Sequence, residues 1–183
     1  DLGKIILLEG THVLGTTLQI TKDVDIRGIG TVIIDGNHNK FLKTHADLNL
    51  TNIQFTNGYS DSDKLIELSG SEISLNIDKV KFYDNGAKYG IYVPKGNMIN
   101  INNSMFYDND LTLANANAMG VIYLNSAEAV IENSIFKNNK AQKGGAIYTS
   151  RASTATTGSL KIINSTFVSN SAIKGTGGAI FVS

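Results

Sequence analysis

The sequence predicts an all-β fold: a single-stranded parallel β-helix, or solenoid, of about six to seven coils that takes residues 1–183 as one domain. Three observations predict it. The first is composition, in which 22 isoleucines, 20 asparagines and 18 glycines stand against one proline and no cysteine or tryptophan. Ile favours strands, while Gly and Asn best tolerate left-handed backbone, so many short strands joined by tight corners are expected. The second is a repeat anchored on Phe55, Phe82, Phe106, Phe136 and Phe167, spaced by 27, 24, 30 and 31 residues. Heptads and helical repeats keep their length from copy to copy, whereas coils with variable loops do not. The third is register. Offsets −7, −5 and −2 from each Phe hold Leu48, Leu50, Ile53; Leu75, Ile77, Val80; Ile99, Ile101, Ser104; Ala129, Ile131, Ser134; and Leu160, Ile162, Ser165. The step of two is strand alternation, and the step of three marks a bend between strands.

Taken in order, residues 1–47 are expected to form irregular opening coils and 48–183 the regular Phe-x-x-Asn repeats. Residues 5–8 start the first coil. Leu18, Ile20, Val24 and Ile26 fit the template with one extra corner residue, and Asp35-Gly36-Asn37 supplies a turn. In the regular part, Asn85, Asn109, Asn139 and Asn170 each follow a Phe by three residues, and the first copy departs with Gly58. A further strand closes each coil, at 65–68, 90–93, 120–124, 144–149 and 177–182. Loops are expected to bulge between Phe106 and Gly120 and over 151–158. The logic of such a chain is stacking: each buried Phe contributes ~1.5–3 kcal/mol. The asparagines at equivalent corners form a hydrogen-bonded ladder along the axis, and stability accumulates between neighbouring coils.

Charge and composition exclude several functions. Sixteen basic and sixteen acidic side chains cancel, so no global field attracts nucleic acid or anionic lipid, and no nucleic-acid partner is expected. The absence of cysteine removes disulfides, thiolate metal sites and a thiol nucleophile. Apolar runs are strand-sized, so no direct membrane insertion is expected. The chain starts at Asp1 and its last strand pattern runs to Ser183 without a polar cap. A stretch of a longer protein is expected, or a unit that associates end to end with its own copies into a filament or matrix.

The paired Phe-x-x-Asn and Gly-Gly-Ala-Ile motifs resemble the repeats of chlamydial polymorphic outer-membrane proteins and of the large adhesin-like surface proteins of methanogenic archaea. Asn164-Ser-Thr-Phe-Val-Ser-Asn170 with Gly177-Gly-Ala-Ile180 carries the likeness, as do residues 133–139 with 144–147. Residues 31–37 and 48–58 resemble the opening coils of the archaeal group. Residues 75–124 depart, because Gly90 and Gly120 have no glycine partner. The resemblance implies a right-handed helix, an extracellular or cell-surface location and an adhesion or surface-coat role, with no catalytic residues.

β-Helices also host polysaccharide lyases and glycosidases, so a carbohydrate-active enzyme is a rival reading. Asp84 and Asp108 both follow a core Phe by two residues and are the one pair suited to acid–base work; their column continues as Asn57, Asn138 and Ser169 and reads as a polar turn position. Asp23 and Asp25 share an outward strand face, and Asp61 and Asp63 lie in a stretch expected to be a flexible loop; neither pair has a third Ca²⁺ ligand. His12, His38 and His45 lack metal-ligand spacing, and neither metal nor cofactor is expected. The distinctive surface feature is in the third strand, where alternation turns Tyr92, Tyr123, Tyr148 and Phe181 outward as an exposed column. Such rings offer flat apolar faces to a carbohydrate or to a cell-surface protein, or they simply stabilise their own sheet. Sequons at Asn49, Asn102 and Asn164 could accept glycans on an extracellular protein. The expectation is a non-catalytic adhesin-like or surface-coat β-helix mediating attachment, with the filament subunit and the carbohydrate-active enzyme as rivals.

Overall fold

The computed structural model describes residues 2–151 and 158–183. Among them the chain winds through seven coils, each laying one strand in each of three seven-stranded parallel sheets. Sheet A runs from Gly3–Leu7 to Ser159–Ile163, and sheet B from Gly10–Val13 to Thr166–Val168. Sheet C holds Leu18–Ile20, Leu42–Thr44, Tyr59–Leu68, Gly86–Val93, Ile122–Asn125, Ile147–Ser150 and Ile180–Val182. The parallel β-helix expected from the repeat is therefore the fold. Residues 1–47, expected to be irregular, differ: their first two coils already enter all three sheets in register. What they lack is Phe and Asn at the repeat positions, not strands.

The bends are where the step of three placed them. Between sheets A and B the corner residue is Asn52, Lys79, Asn103, Asn133 or Asn164, with φ between 45° and 55°. After sheet B a second left-handed corner carries Asn57, Asp84, Asp108, Asn138 and Ser169, with φ between 52° and 56°. Short polar residues dominate both because they bear this conformation at least cost. Inside, Phe55, Phe82, Phe106, Phe136 and Phe167 pair in register. Their ring centroids are 6.5, 5.8, 4.8 and 4.8 Å apart in sequence order. Phe82, Phe106 and Phe136 are fully buried.

The asparagine ladder runs beside this file. Asn85 Nδ2 donates to Asn109 Oδ1 at 3.0 Å, Asn109 to Asn139 at 2.8 Å and Asn139 to Asn170 at 2.9 Å. Each amide also donates to the carbonyl of the Phe one coil earlier, as Asn109 does to Phe82 at 2.9 Å. The buried amides are thereby satisfied, which is the condition for keeping polar groups in a core. Gly58 breaks the Asn rule for a steric reason: a Cβ there would lie 2.6 Å from the Phe41 ring. Phe41, fully buried between Phe55 and Phe82, occupies the space an asparagine would need. The Gly58 N–H still bonds Asn85 Oδ1 at 2.8 Å and so ends the ladder.

Between Phe106 and Gly120 the expected bulge contains a short 3₁₀ turn, Leu111–Leu113, with the Asp110 side chain accepting from Thr112 N. Next to it Lys140–Lys143 and Ser171–Thr176 form a fourth, two-stranded sheet. Of the loop expected over 151–158, residues 152–157 lie outside the described residues. Asp61 and Asp63, expected in a loop, fall within the span of the strand Tyr59–Leu68, but its pairing with Gly86–Val93 passes from Ser60 to Lys64 and leaves both in a bulge.

Candidate functional site

Sheet C carries the surface on which function can be argued. Its last three strands follow a glycine corner, at Gly120, Gly144 and Gly177; at Gly144, with φ +56°, a Cβ would fall 2.3 Å from the Ile147 carbonyl oxygen. Only glycine turns the chain there. Beyond the corner, alternation places Gln19, Lys43, Glu67, Tyr92, Tyr123, Tyr148 and Phe181 in one outward column, each in register with the next. The column is polar or charged in its first three coils and aromatic in its last four.

Ring centroids are 5.3 Å apart for Tyr92–Tyr123, 5.2 Å for Tyr123–Tyr148 and 5.0 Å for Tyr148–Phe181. The first two pairs are inclined at 57° and 72°, whereas the last is stacked at 8°. Tyr89 joins the group, 4.7 Å from Tyr123 and 5.7 Å from Tyr92. The column is less open than its register suggested. Tyr148 is only 8% exposed and the other three are half-buried, because rings one coil away cover much of each ring. Faces turned toward a neighbour are taken up by ring contacts, and the accessible ring surface belongs to Tyr92, Tyr123 and Phe181.

A polar seam borders the rings. Asn125 Nδ2 donates to the Tyr92 hydroxyl at 3.2 Å, the Ser150 hydroxyl bonds Asn125 Oδ1 at 3.3 Å, and Tyr123 OH and Ser150 Oγ are 2.9 Å apart. Burial pushes the Tyr123 phenol up, and the neighbouring tyrosines add to this against the lowering effect of Ser150. Lysine ammonium groups lie over rings: Lys64 over Tyr92 at 5.4 Å, Lys88 over Tyr89 at 5.3 Å and Lys143 over Phe181 at 5.8 Å. At the early end Lys40, Lys64, Asp63 and Glu67 form an ion cluster, with Lys40–Asp63 at 2.7 Å and Lys64–Glu67 at 3.1 Å. Burial alone would raise the Asp63 carboxyl, but hydrogen bonds from Lys40 and Lys64 outweigh it and hold it at about 2.

The other candidates fall elsewhere. Asp84 and Asp108 project at the second corner beside a groove that Tyr59, Asp110 and Leu113 also line. Burial, then the charge of Asp108, raises the Asp84 carboxyl. Asn138 Nδ2 donates to Asp108 at 2.8 Å. Asp23 and Asp25 do not share a site: Asp23 accepts from Asp47 N, while Asp25 is buried against Arg27 at 2.7 Å. His12 bonds the Leu8 carbonyl and His38 approaches the Tyr59 ring. Among the described residues no group of three or more His, Asp or Glu is placed to hold a metal ion. At the sequons, Asn164 donates to Asn133 and Asn102 accepts from Asn133, so corner ladders engage both amides. Asn49 accepts from Asn76 on the outer face of sheet A.

Set against known proteins, residues 133–150 match the family model described as the Chlamydia polymorphic membrane protein (Chlamydia_PMP) repeat. That stretch holds the core Phe136, the ladder Asn139, the Gly144-Gly145 corner and the outward Tyr148, so the matched motif is part of one coil of a parallel β-helix. No curated protein and no solved structure matches the chain. Among the described residues no helix is long and apolar enough to cross a membrane. The residues missed in the sequence are Tyr89, Asn125, Ser150 and the three lysines. Extending the outward alternation by two from Tyr123 and Tyr148 reaches Asn125 and Ser150. The same count taken back from Tyr92 lands on Gly90 and Lys88 but never on Tyr89, which joins the rings because a register shift between Ala87 and Tyr89 interrupts the strand.

Proposed function

We propose that this chain is a non-catalytic, extracellular surface β-helix that attaches to a carbohydrate or to a cell-surface protein through the lateral face of sheet C. The observation that carries the reading is the continuous column Tyr92, Tyr123, Tyr148 and Phe181 with its seam of hydroxyl and amide groups. A rigid strip of inclined rings edged by hydrogen-bonding groups suits ligands with alternating apolar and hydroxyl surface. The repeat match to a polymorphic membrane protein family supports the surface location. The test replaces Tyr92 and Tyr123 with Ser and leaves the buried Tyr148 in place. Attachment to cells or to immobilised glycans is then measured, with circular dichroism as the check on folding. Loss of attachment from a folded variant is the expected result; undiminished attachment contradicts the reading.

One observation favours the enzyme as a second reading. Burial and the charge of Asp108 in the next coil raise the Asp84 carboxyl, as suits a general acid. Polysaccharide hydrolysis that disappears in Asp84→Asn and Asp108→Asn would establish it. Inactivity of the parent chain on a panel of plant and host polysaccharides, with and without Ca²⁺, removes it.

A further inference from the structure

Resting on the attachment reading of sheet C, we infer that the ligand of this face is an acidic polysaccharide lying along the helix axis, with an anionic group on every second sugar. Charge is the first argument. The ion pairs among the described residues join Arg27, Lys40, Lys64 and Lys140 to acids, and none involves Lys88 or Lys143. Other lysines also stand outside those pairs, but Lys88 and Lys143 are the two that place their ammonium groups over rings of the aromatic face, Tyr89 and Phe181. A cation over a ring keeps part of its attraction for an anion, and its aliphatic stem extends the apolar surface.

Spacing is the second argument. The Met119 N–H bonds the Lys88 carbonyl at 3.1 Å, and Met119 pairs in turn with Lys143. That bond sets Tyr89 opposite Met119, so Lys88 lies one residue before the column of Lys143 and two coils from it, roughly 10 Å along the axis at ~4.8 Å per coil. In an extended β-linked glycan one pyranose advances the chain by a distance close to one coil. Anionic groups on alternate sugars would meet Lys88 and Lys143 while the sugars between them lie against the rings. The Tyr92–Asn125–Ser150–Tyr123 seam then faces the sugar hydroxyls. Glu67 sets the boundary: it continues the column one coil before Tyr92 and already neutralises Lys64 with Asp63, so the anion-accepting stretch begins after it.

The test titrates the whole chain by calorimetry with a hyaluronan octasaccharide, which carries a carboxylate on every second sugar, and with a neutral chitin octasaccharide of the same length. Three variants accompany it: Lys88→Gln with Lys143→Gln, Lys88→Arg with Lys143→Arg, and Tyr92→Ser with Tyr123→Ser. The inference expects hyaluronan to bind more tightly than chitin, with affinity that falls as salt is raised. It expects the glutamine pair to lose about tenfold or more in affinity while the arginine pair keeps it. Equal binding of both octasaccharides, untouched by the glutamine pair but lost with the tyrosines, overturns the acidic ligand and leaves the attachment face standing. No binding of either sugar, with cell attachment still dependent on Tyr92 and Tyr123, also overturns it and points to a protein partner. Attachment indifferent to the tyrosines removes both readings.

Discussion

Asn109 uses its whole amide inside the stack: its oxygen accepts from Asn85 N and Nδ2, and its nitrogen donates to Phe82 O and Asn139 Oδ1. Removing it strands buried partners on both sides, so Asn109→Ala is expected to cost about 2–4 kcal/mol in urea unfolding. Asn170, half-buried in the last coil, should cost clearly less, because water can replace what is lost. Equal losses would show that the ladder carries no special load. Gly58 tests the same ladder by sterics. Restoring the consensus with Gly58→Asn should destabilise, since Phe41 fills that space. A double-mutant cycle with Phe41→Ala should then show favourable coupling between the two changes. The ladder positions were legible because they keep a fixed offset from each Phe. Phe41 was not, because it enters the core from outside the repeat.

At the level of the strands and their side-chain files, Phe106 and Phe167 hold equivalent places in sheet B but differ in burial, complete for Phe106 and partial for Phe167. Phe106→Ala should cost ~3–5 kcal/mol, with the cavity adding to the lost transfer energy; Phe167→Ala should cost markedly less. The ion cluster on Tyr59–Leu68 makes a pH-dependent contribution with a defined sign. Asp63 titrates at about 2 in the folded protein against 3.8 as an unperturbed carboxyl. Its stabilisation is therefore complete above about pH 4 and is lost as pH falls toward 2. The difference in urea midpoint between the parent chain and Asp63→Asn should shrink across that window, and a difference independent of pH would contradict the assignment. That strand also shows where sequence reasoning stops. Tyr-Ser-Asp-Ser-Asp reads as loop by propensity; Tyr59 and Ser60 nonetheless pair with the next coil, while Asp61 and Asp63 bulge before pairing resumes at Lys64, and two lysines engage Asp63. Outward Tyr92, Tyr123, Tyr148 and Phe181 were legible from alternation alone. Their partial burial was not, because it depends on how neighbouring rings incline.

For the molecule as a whole, seven coils share one register, so a side chain's neighbours are set by the repeat and only secondarily by its own strand. This is why the solenoid could be derived from five phenylalanines and the apolar positions around them. It is also why residues 3–44 were harder: their strands pair as regularly as the rest, but without Phe or Asn there was no marker to align. The absence of cysteine opens a direct measurement of that shared register. Asn76 and Asn100 are partners on adjacent coils of sheet A, outward and half-buried, with Asn100 Nδ2 bonded to Asn76 Oδ1 at 2.8 Å. Replaced together by cysteine, they lie within disulfide reach across a parallel pair. Under mild oxidation the Asn76→Cys, Asn100→Cys protein should form an intramolecular disulfide readily. The offset pair Asn76→Cys, Asn102→Cys should form it poorly. Efficient closure of the offset pair, or no closure of the registered one, would contradict the stacked helix and the ring-bearing face built on it.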